Sequence, residues 1–156
     1  MKKINLFVYG SLREGFFNYD KYLAGKVVEK KDAILENMRL YHMPYKGYPA
    51  ITPGNDKVLG EIMVINEEEY DETVKDMDEM EGFISENNPE NEYHKIVLEV
   101  KNLQTNEKEK CFVYFYNKDK DELFDYKAVY LPNGDWKEHM LSNYLVSPLA
   151  FPFLNI

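Results

Sequence analysis

Cross-links have little to work with in this chain. Cys111 is the single cysteine in 156 residues, so no intramolecular disulfide can form, and one thiol outside a cluster of Cys or His does not build structural zinc. A reducing, cytoplasmic setting is therefore expected. His42, His94 and His139 are the only histidines, and they lack the close spacing and the acidic or cysteine partners of a metal centre. Neither a metal nor an organic cofactor is expected. No apolar run approaches the roughly 20 residues of a membrane-spanning helix. Met1-Lys2-Lys3 resembles the start of a secretory signal, but the apolar run Ile4 to Val8 soon meets Gly10, Ser11 and Arg13 and reads as a first strand. Positive charge is also scarce. Lys and Arg number 19 against 28 Asp and Glu, giving a net charge of −9, which repels a phosphate backbone, and the thirteen tyrosines are not interleaved with basic clusters. Nucleic acid is not an expected partner. A carboxylate ligand would face the same opposing field, so an anion site must be local, made of backbone N–H groups or one cation. Gly10-Ser11 lacks the Gly-x-Ser-x-Gly frame of a nucleophile elbow.

What is present suits one domain over 1–156. Apolar residues make up 44% and aromatics 15%, enough for a core in a chain of this length. Ile4 to Tyr9 is β-prone and apolar throughout, as a strand covered on both faces would be. A short helical or turn stretch is expected near Asn18 to Leu23, then a strand over Ala33 to Met43. Pro44, Gly47, Pro49, Pro53 and Gly54 predict a loop, and Val58 to Ile65 a further strand. From Asn66 to Met80 the spacing of Tyr70, Thr73, Val74 and Met77 predicts an amphipathic helix, capped by Asn66 and closed by Gly82. Ser85 to Glu92 reads as a loop, and the alternation around Ile96, Leu98 and Val100 pairs with Phe112 to Tyr116 as a hairpin. Lys118 to Lys127 is a charged connector, Asp135 to Leu145 a helix capped by Asp135, and Ser147 to Ile156 is expected to pack back on the body. This order is α+β rather than regular βαβ alternation.

Two places carry chemistry. In Val8-Tyr9-Gly10-Ser11-Leu12-Arg13 a buried strand enters a tight turn. It forms either a concave nest of N–H groups that takes a carboxylate, or a plain strand-to-helix turn with Ser11 as N-cap. Glu81 falls eleven residues after Tyr70, inside the apolar stripe of its helix, whereas Glu68, Glu72, Asp76 and Glu79 point away. It is either a carboxylate turned toward the core, where burial and the helix dipole both favour its protonated form, or a residue frayed outward past the last turn. Cys111 sits in an apolar strand as an inert thiol, and Trp136 reads as an aromatic that packs a loop or covers a pocket.

In order and spacing, Phe7-Val8-Tyr9-Gly10-Ser11-Leu12-Arg13, Gly47-Tyr48-Pro49-Ala50-Ile51, Val58-Leu59-Gly60-Glu61-Ile62, Met77-Asp78-Glu79-Met80-Glu81-Gly82, Tyr93-His94-Lys95 and Phe112-Val113-Tyr114 resemble the gamma-glutamylcyclotransferase-like family. The resemblance implies an α+β fold, a small mixed β-barrel with flanking helices. It implies a metal-independent enzyme that converts a gamma-glutamyl amine or amide into 5-oxoproline and free amine. Glu81 matches the catalytic glutamate, while Tyr9, Gly10, Ser11, Leu12 and Tyr114 match the substrate-binding positions. Two departures stand out. Lys95 replaces the Arg common in the Tyr-x-Arg block and lacks its bidentate fork, and the segment Ile84 to Glu92 is longer than usual. Neither the leaving amine nor the oligomeric state has a signal in the sequence. Two other functions fit the same residues: a non-catalytic binder of a small carboxylated metabolite in the same pocket, and an interaction module that works through the acidic face Glu67 to Asp78.

Overall fold

The computed structural model describes residues 3–144, and the ending Ser147 to Ile156 lies outside them. The chain runs β1 (Asn5–Val8), α1 (Phe17–Tyr22), β2 (Val27–Met43), β3 (Tyr48–Ile65), α2 (Tyr70–Met80), β4 (Tyr93–Asn102), β5 (Lys108–Tyr116), α3 (Phe124–Lys127), β6 (Val129–Tyr130) and α4 (Trp136–Tyr144). The strands lie in the order β3-β1-β5-β4-β2, and β2 pairs again with β3 to close a five-stranded barrel. β1 is parallel to β5, with Leu6 opposite Phe112, and antiparallel to β3, with Leu6 opposite Met63. The remaining barrel pairs are antiparallel, so the barrel is mixed, and β6 extends β2 outside the ring at Tyr41 and Tyr130.

β1 is the interior strand that its apolar run predicts. Successive side chains point to opposite faces, and both faces are covered. Phe7 packs in one core with Trp136 and Met140 of α4, while Leu6 and Val8 pack in the other with Val74 and Met77 of α2. Leu6, Phe7 and Val8 are no more than 3% exposed, and each such side chain contributes about 1.5–3 kcal/mol by burial.

Helix α2 buries Tyr70, Thr73, Val74 and Met77, the stripe set by its 3.6-residue period. Asn66 accepts from the Glu68 N–H at 3.0 Å, capping a single 3₁₀ turn over Glu67–Glu69 that leads into the α-helix. At α4 the Asp135 carboxylate accepts from the Glu138 N–H at 3.0 Å, the expected cap. Among the described residues no helix is long and apolar enough to cross a membrane.

The expected loop from Pro44 to Gly54 is a correction. Only a turn separates the strands, with the Gly47 N–H bonded to the Met43 carbonyl at 2.8 Å, and β3 starts at Tyr48. Pro49 and Pro53 lie opposite His42 and Met38 of β2. The recorded partners of β1 on β3 are Glu61 to Met63, so the first half of β3 is an edge, where a residue without an N–H is tolerated. Burial of Ala50 and Ile51, both 0% exposed, holds the segment in the strand. β2 also begins earlier than expected, at Val27, through the charged stretch Glu29 to Asp32. The connector after β5 folds into a 3₁₀ turn and α3, which buries Phe124. Trp136 is core rather than cover, its indole N–H donating to His42 Nδ1 at 3.0 Å. Cys111 is fully buried, which pushes its thiol up to about 12.

Candidate active site

β1 delivers Tyr9 into the segment Gly10-Ser11-Leu12. A Cβ placed on Gly10 would lie 2.5 Å from Pro49 Cγ, so glycine is needed here because β3 packs directly against the backbone. The turn is held by its carbonyls. Gly10 O accepts from the Arg13 N–H at 2.9 Å and Ser11 O from the Tyr19 N–H at 3.2 Å. Ser11 does not cap α1, whose N-cap is Phe16; its hydroxyl instead accepts from Asn18 Nδ2 at 2.7 Å. The amides of Gly10, Ser11 and Leu12 donate to no group among the described residues, and buried or half-buried N–H groups of this kind are a ready site for an anion.

Glu81 lines the same pocket as this turn, as the C-cap of α2. Its N–H bonds to Met77 O at 2.9 Å, the Gly82 N–H to Glu79 O at 3.1 Å, and the Phe83 N–H to Asp78 O at 2.9 Å. This is the Schellman pattern, with Gly82 at φ +67° in the left-handed position. The carbonyls of Glu81 and Gly82 then accept from the N–H groups of Tyr93 and Glu92, so the start of β4 fixes the residue from the other side. Glu81 has not frayed into solvent. Its carboxylate is half-buried, has no hydrogen-bond partner among the described residues, and is pushed up to about 8 by burial first and then by the charges of Glu92 and Asp78. A Cβ on Gly82 would lie 2.8 Å from that of Glu92. Gly82→Ala is therefore expected to cost about 1–2 kcal/mol from the left-handed backbone alone, read as a lower midpoint in urea unfolding, with the contact adding to it.

Several contacts around these residues escape a reading of the sequence. The hydroxyl of Tyr114 donates to Asp78 Oδ1 at 2.6 Å, and Lys95 donates to Asp78 Oδ2 at 2.9 Å. Asp78, the last acid of what reads as a solvated face, is thus turned inward. The lysine also lies over the rings of Phe83 and Phe112, 5.0 and 4.8 Å from their centroids. Tyr9 is locked by its hydroxyl to the Tyr114 carbonyl at 2.6 Å, and Tyr93 by its hydroxyl to Pro49 O at 2.7 Å. Behind the turn, Arg13 Nε bonds to Glu61 at 3.2 Å and its Nη1 to Asp135 at 3.1 Å, while the Glu14 N–H reaches the other Glu61 oxygen at 3.1 Å. Glu61 is 2% exposed. An acid in the middle of an apolar strand is the signal that would have found it.

Tyr9, Gly10, Ser11, Leu12, Glu81 and Tyr114 border one pocket of about 510 Å³, including its open mouth, together with Tyr48, Pro49, Met80, Glu92 and Tyr93. Among the described residues no three His, Cys, Asp or Glu are grouped to hold a metal ion.

A closed five-stranded mixed barrel with helices packed outside it is the fold of the AIG2-like proteins. The AIG2-like protein of Mus musculus superposes with a TM-score of 0.54 at 22% identity, covering 72% of this chain and 76% of its own. An Arabidopsis thaliana protein gives 0.61 at 23% identity over 91% and 74%, and a Pyrococcus horikoshii protein 0.57 at 22% over 92% and 98%. The chain belongs to the family described as gamma-glutamyl cyclotransferase, AIG2-like, whose model matches residues 6–138. It is 29% identical over 139 residues to the gamma-L-glutamyl-butirosin B gamma-glutamyl cyclotransferase of Niallia circulans, which spans 89% of this chain and 79% of that relative. The protein is an enzyme of the gamma-glutamyl cyclotransferase type.

Proposed function

We propose that the enzyme converts a gamma-glutamyl amine or amide into 5-oxoproline and free amine, with Glu81 as its single acid–base group. The observation that carries this reading is that an unpartnered, half-buried carboxylate and three unbonded amides border the same pocket. Amides near Gly10 to Leu12 take the substrate's α-carboxylate, and Glu81 faces the α-ammonium on the same carbon. Tyr9 and Tyr114, their hydroxyls already committed, supply rigid walls rather than proton donors.

Glu81 removes one proton from the α-ammonium, and the freed nitrogen attacks the gamma-carbonyl carbon to form the ring C–N bond. Glu81 returns that proton to the leaving nitrogen as the original C–N bond breaks. The second proton lost by the α-nitrogen also leaves with the amine, which departs as an ammonium. No water enters, and positioning the two ends of one substrate supplies much of the rate. A glutamate near 8 is closely matched to an α-ammonium at about 8, so transfer between them is near balance.

The test is release of 5-oxoproline from gamma-glutamyl amines, dipeptides and glutathione. Turnover needs one proton shared between base and amine, so kcat/KM is expected to fall below about pH 8 as Glu81 becomes protonated. At pH 6 it should be lower by roughly 25-fold than at pH 8. An acid limb near an ordinary glutamate value, or binding of all these compounds without turnover, would remove the proposed role of Glu81.

A further inference from the structure

A second cavity of about 420 Å³, lined by Lys46, Glu92, Tyr116, Asn117 and Lys120, shares a lining residue with the first. Among the described residues Glu92 is the one that lines both. Its backbone is pinned, the N–H bonding to Gly82 O at 2.9 Å and the carbonyl accepting from the Asn117 N–H at 3.0 Å. Its side chain is looser: the recorded partner is Lys46 at 3.5 Å, with side-chain exposures of 30% for the lysine and 42% for the glutamate. Such an exposed pair is weak and open to exchange. Lys46 has a second hold, 5.5 Å above the ring of Tyr116, and Lys120 is occupied by Glu90, donating to its carbonyl at 2.7 Å and pairing with its carboxylate at 3.5 Å.

We propose that Glu92 selects the leaving group: its carboxylate receives a second ammonium on the departing amine, and the cavity beyond it houses the chain bearing that group. The proposal rests on the cyclotransferase reading of the pocket. Lys46 and Lys120 line only the cavity beyond, while of these three charged side chains Glu92 alone lines the pocket that would hold the gamma-carbonyl, beside Tyr48 and Met80, whose apolar surfaces suit methylenes. A leaving amine with a second cation gains a charged hydrogen bond there. One bearing a carboxylate, as an amino acid does, meets a like charge first, and a plain alkyl amine gains nothing. The substrate class is therefore the gamma-glutamyl diamine or polyamine rather than the gamma-glutamyl dipeptide.

Three probes of equal chain length test this: gamma-glutamyl-1,4-diaminobutane, gamma-glutamyl-butylamine and gamma-glutamyl-4-aminobutyrate. In the wild type kcat/KM is expected to fall in that order, with about tenfold between the first and the second. Glu92→Gln should bring the ratio of diamine to butylamine near one, and Lys46→Met should raise it by freeing the carboxylate. Because the charge of Glu92 also acts on Glu81, the ratio is taken at each variant's own pH optimum. Calorimetric Kd values for the same probes on Glu81→Gln should follow the same order, which tests Glu92 independently of turnover. Preference for the carboxylate-bearing probe, or a ratio unmoved by Glu92→Gln, overturns the proposal. Absence of 5-oxoproline from every probe while the Kd order holds would instead sink the cyclotransferase reading and leave the role of Glu92 in place.

Discussion

Glu81→Gln is expected to lower kcat for 5-oxoproline formation by at least about 10³-fold while leaving the fold intact and gamma-glutamyl binding within about tenfold, since a positioned acid–base group contributes roughly 10²–10⁴. The amide keeps the shape of the side chain but cannot take the proton of the α-ammonium. The same substitution has an opposite effect on stability. The folded-state value of Glu81 is about 8, against 4.5 for the free side chain, so between those two values the folded state holds a proton that the unfolded state has lost. Wild-type stability consequently falls as pH rises through this window, and the full cost of the buried charge is present above it. The glutamine variant lacks that cost. At pH 9 it should be more stable than the wild type by on the order of 2–4 kcal/mol, allowing for the partial exposure of the group, and the two should converge near pH 4.5. Urea unfolding at both pH values, with single-turnover assays, checks both halves. Full turnover in the variant, or a variant less stable at pH 9 than at pH 5 relative to the wild type, would end the assignment.

Arg13→Met is expected to destabilise the protein by about 3–5 kcal/mol, the usual cost of leaving one member of a buried ion pair without its partner. Glu61 is 2% exposed, and its oxygens are met by Arg13 Nε and the Glu14 N–H. With the guanidinium gone, one oxygen loses its only recorded cation in a place water does not reach. Asp135 loses its contact as well, but it caps α4 near solvent and is cheaper to strand. Glu61→Gln in the same chain should recover part of the loss, because a neutral amide is less costly to bury unpaired. A double-mutant cycle by denaturant unfolding reads the coupling directly. A loss under about 1 kcal/mol would show that the network orders the turn without supporting the fold.

The parts of the molecule legible in the sequence are those decided by neighbours in the chain. Tyr70, Thr73, Val74 and Met77 reveal the buried face of α2 because one helical period relates them, and the same period puts Glu81 on that side. Asn66, Gly82 and Asp135 act within a few residues of themselves. The uninterrupted run of β1 announces a strand covered twice over. What stayed hidden is set by strand register and barrel closure. Gly10 meets Pro49 across the sheet, Asp78 finds Tyr114 and Lys95 only once β4 and β5 are paired at Lys95 and Tyr114, and Arg13 reaches Glu61 through the pairing of Val8 with Glu61. No pattern within a single segment encodes such meetings. The segment around Pro49 and Pro53 was illegible for a different reason: proline punctuation is a local rule, and an edge strand with a buried face overrides it.

The position of β1 between β3 and β5 also constrains the order in which the protein can assemble. The two hairpins, β2 with β3 and β4 with β5, join neighbours in the chain and can zip early, at small loop-closure cost. β1, made before any of its partners in the barrel, must nevertheless wait for residues up to Phe112 before its second edge is paired. Until it docks, Glu61 to Met63 on one side and Cys111 to Phe112 on the other remain open edges, the kind of surface along which chains aggregate. Because Gly10 to Leu12 follow directly from that strand, the wall of the pocket that carries their unbonded amides comes into being with the same late event. Folding intermediates that lack it have no half-built site to offer a substrate.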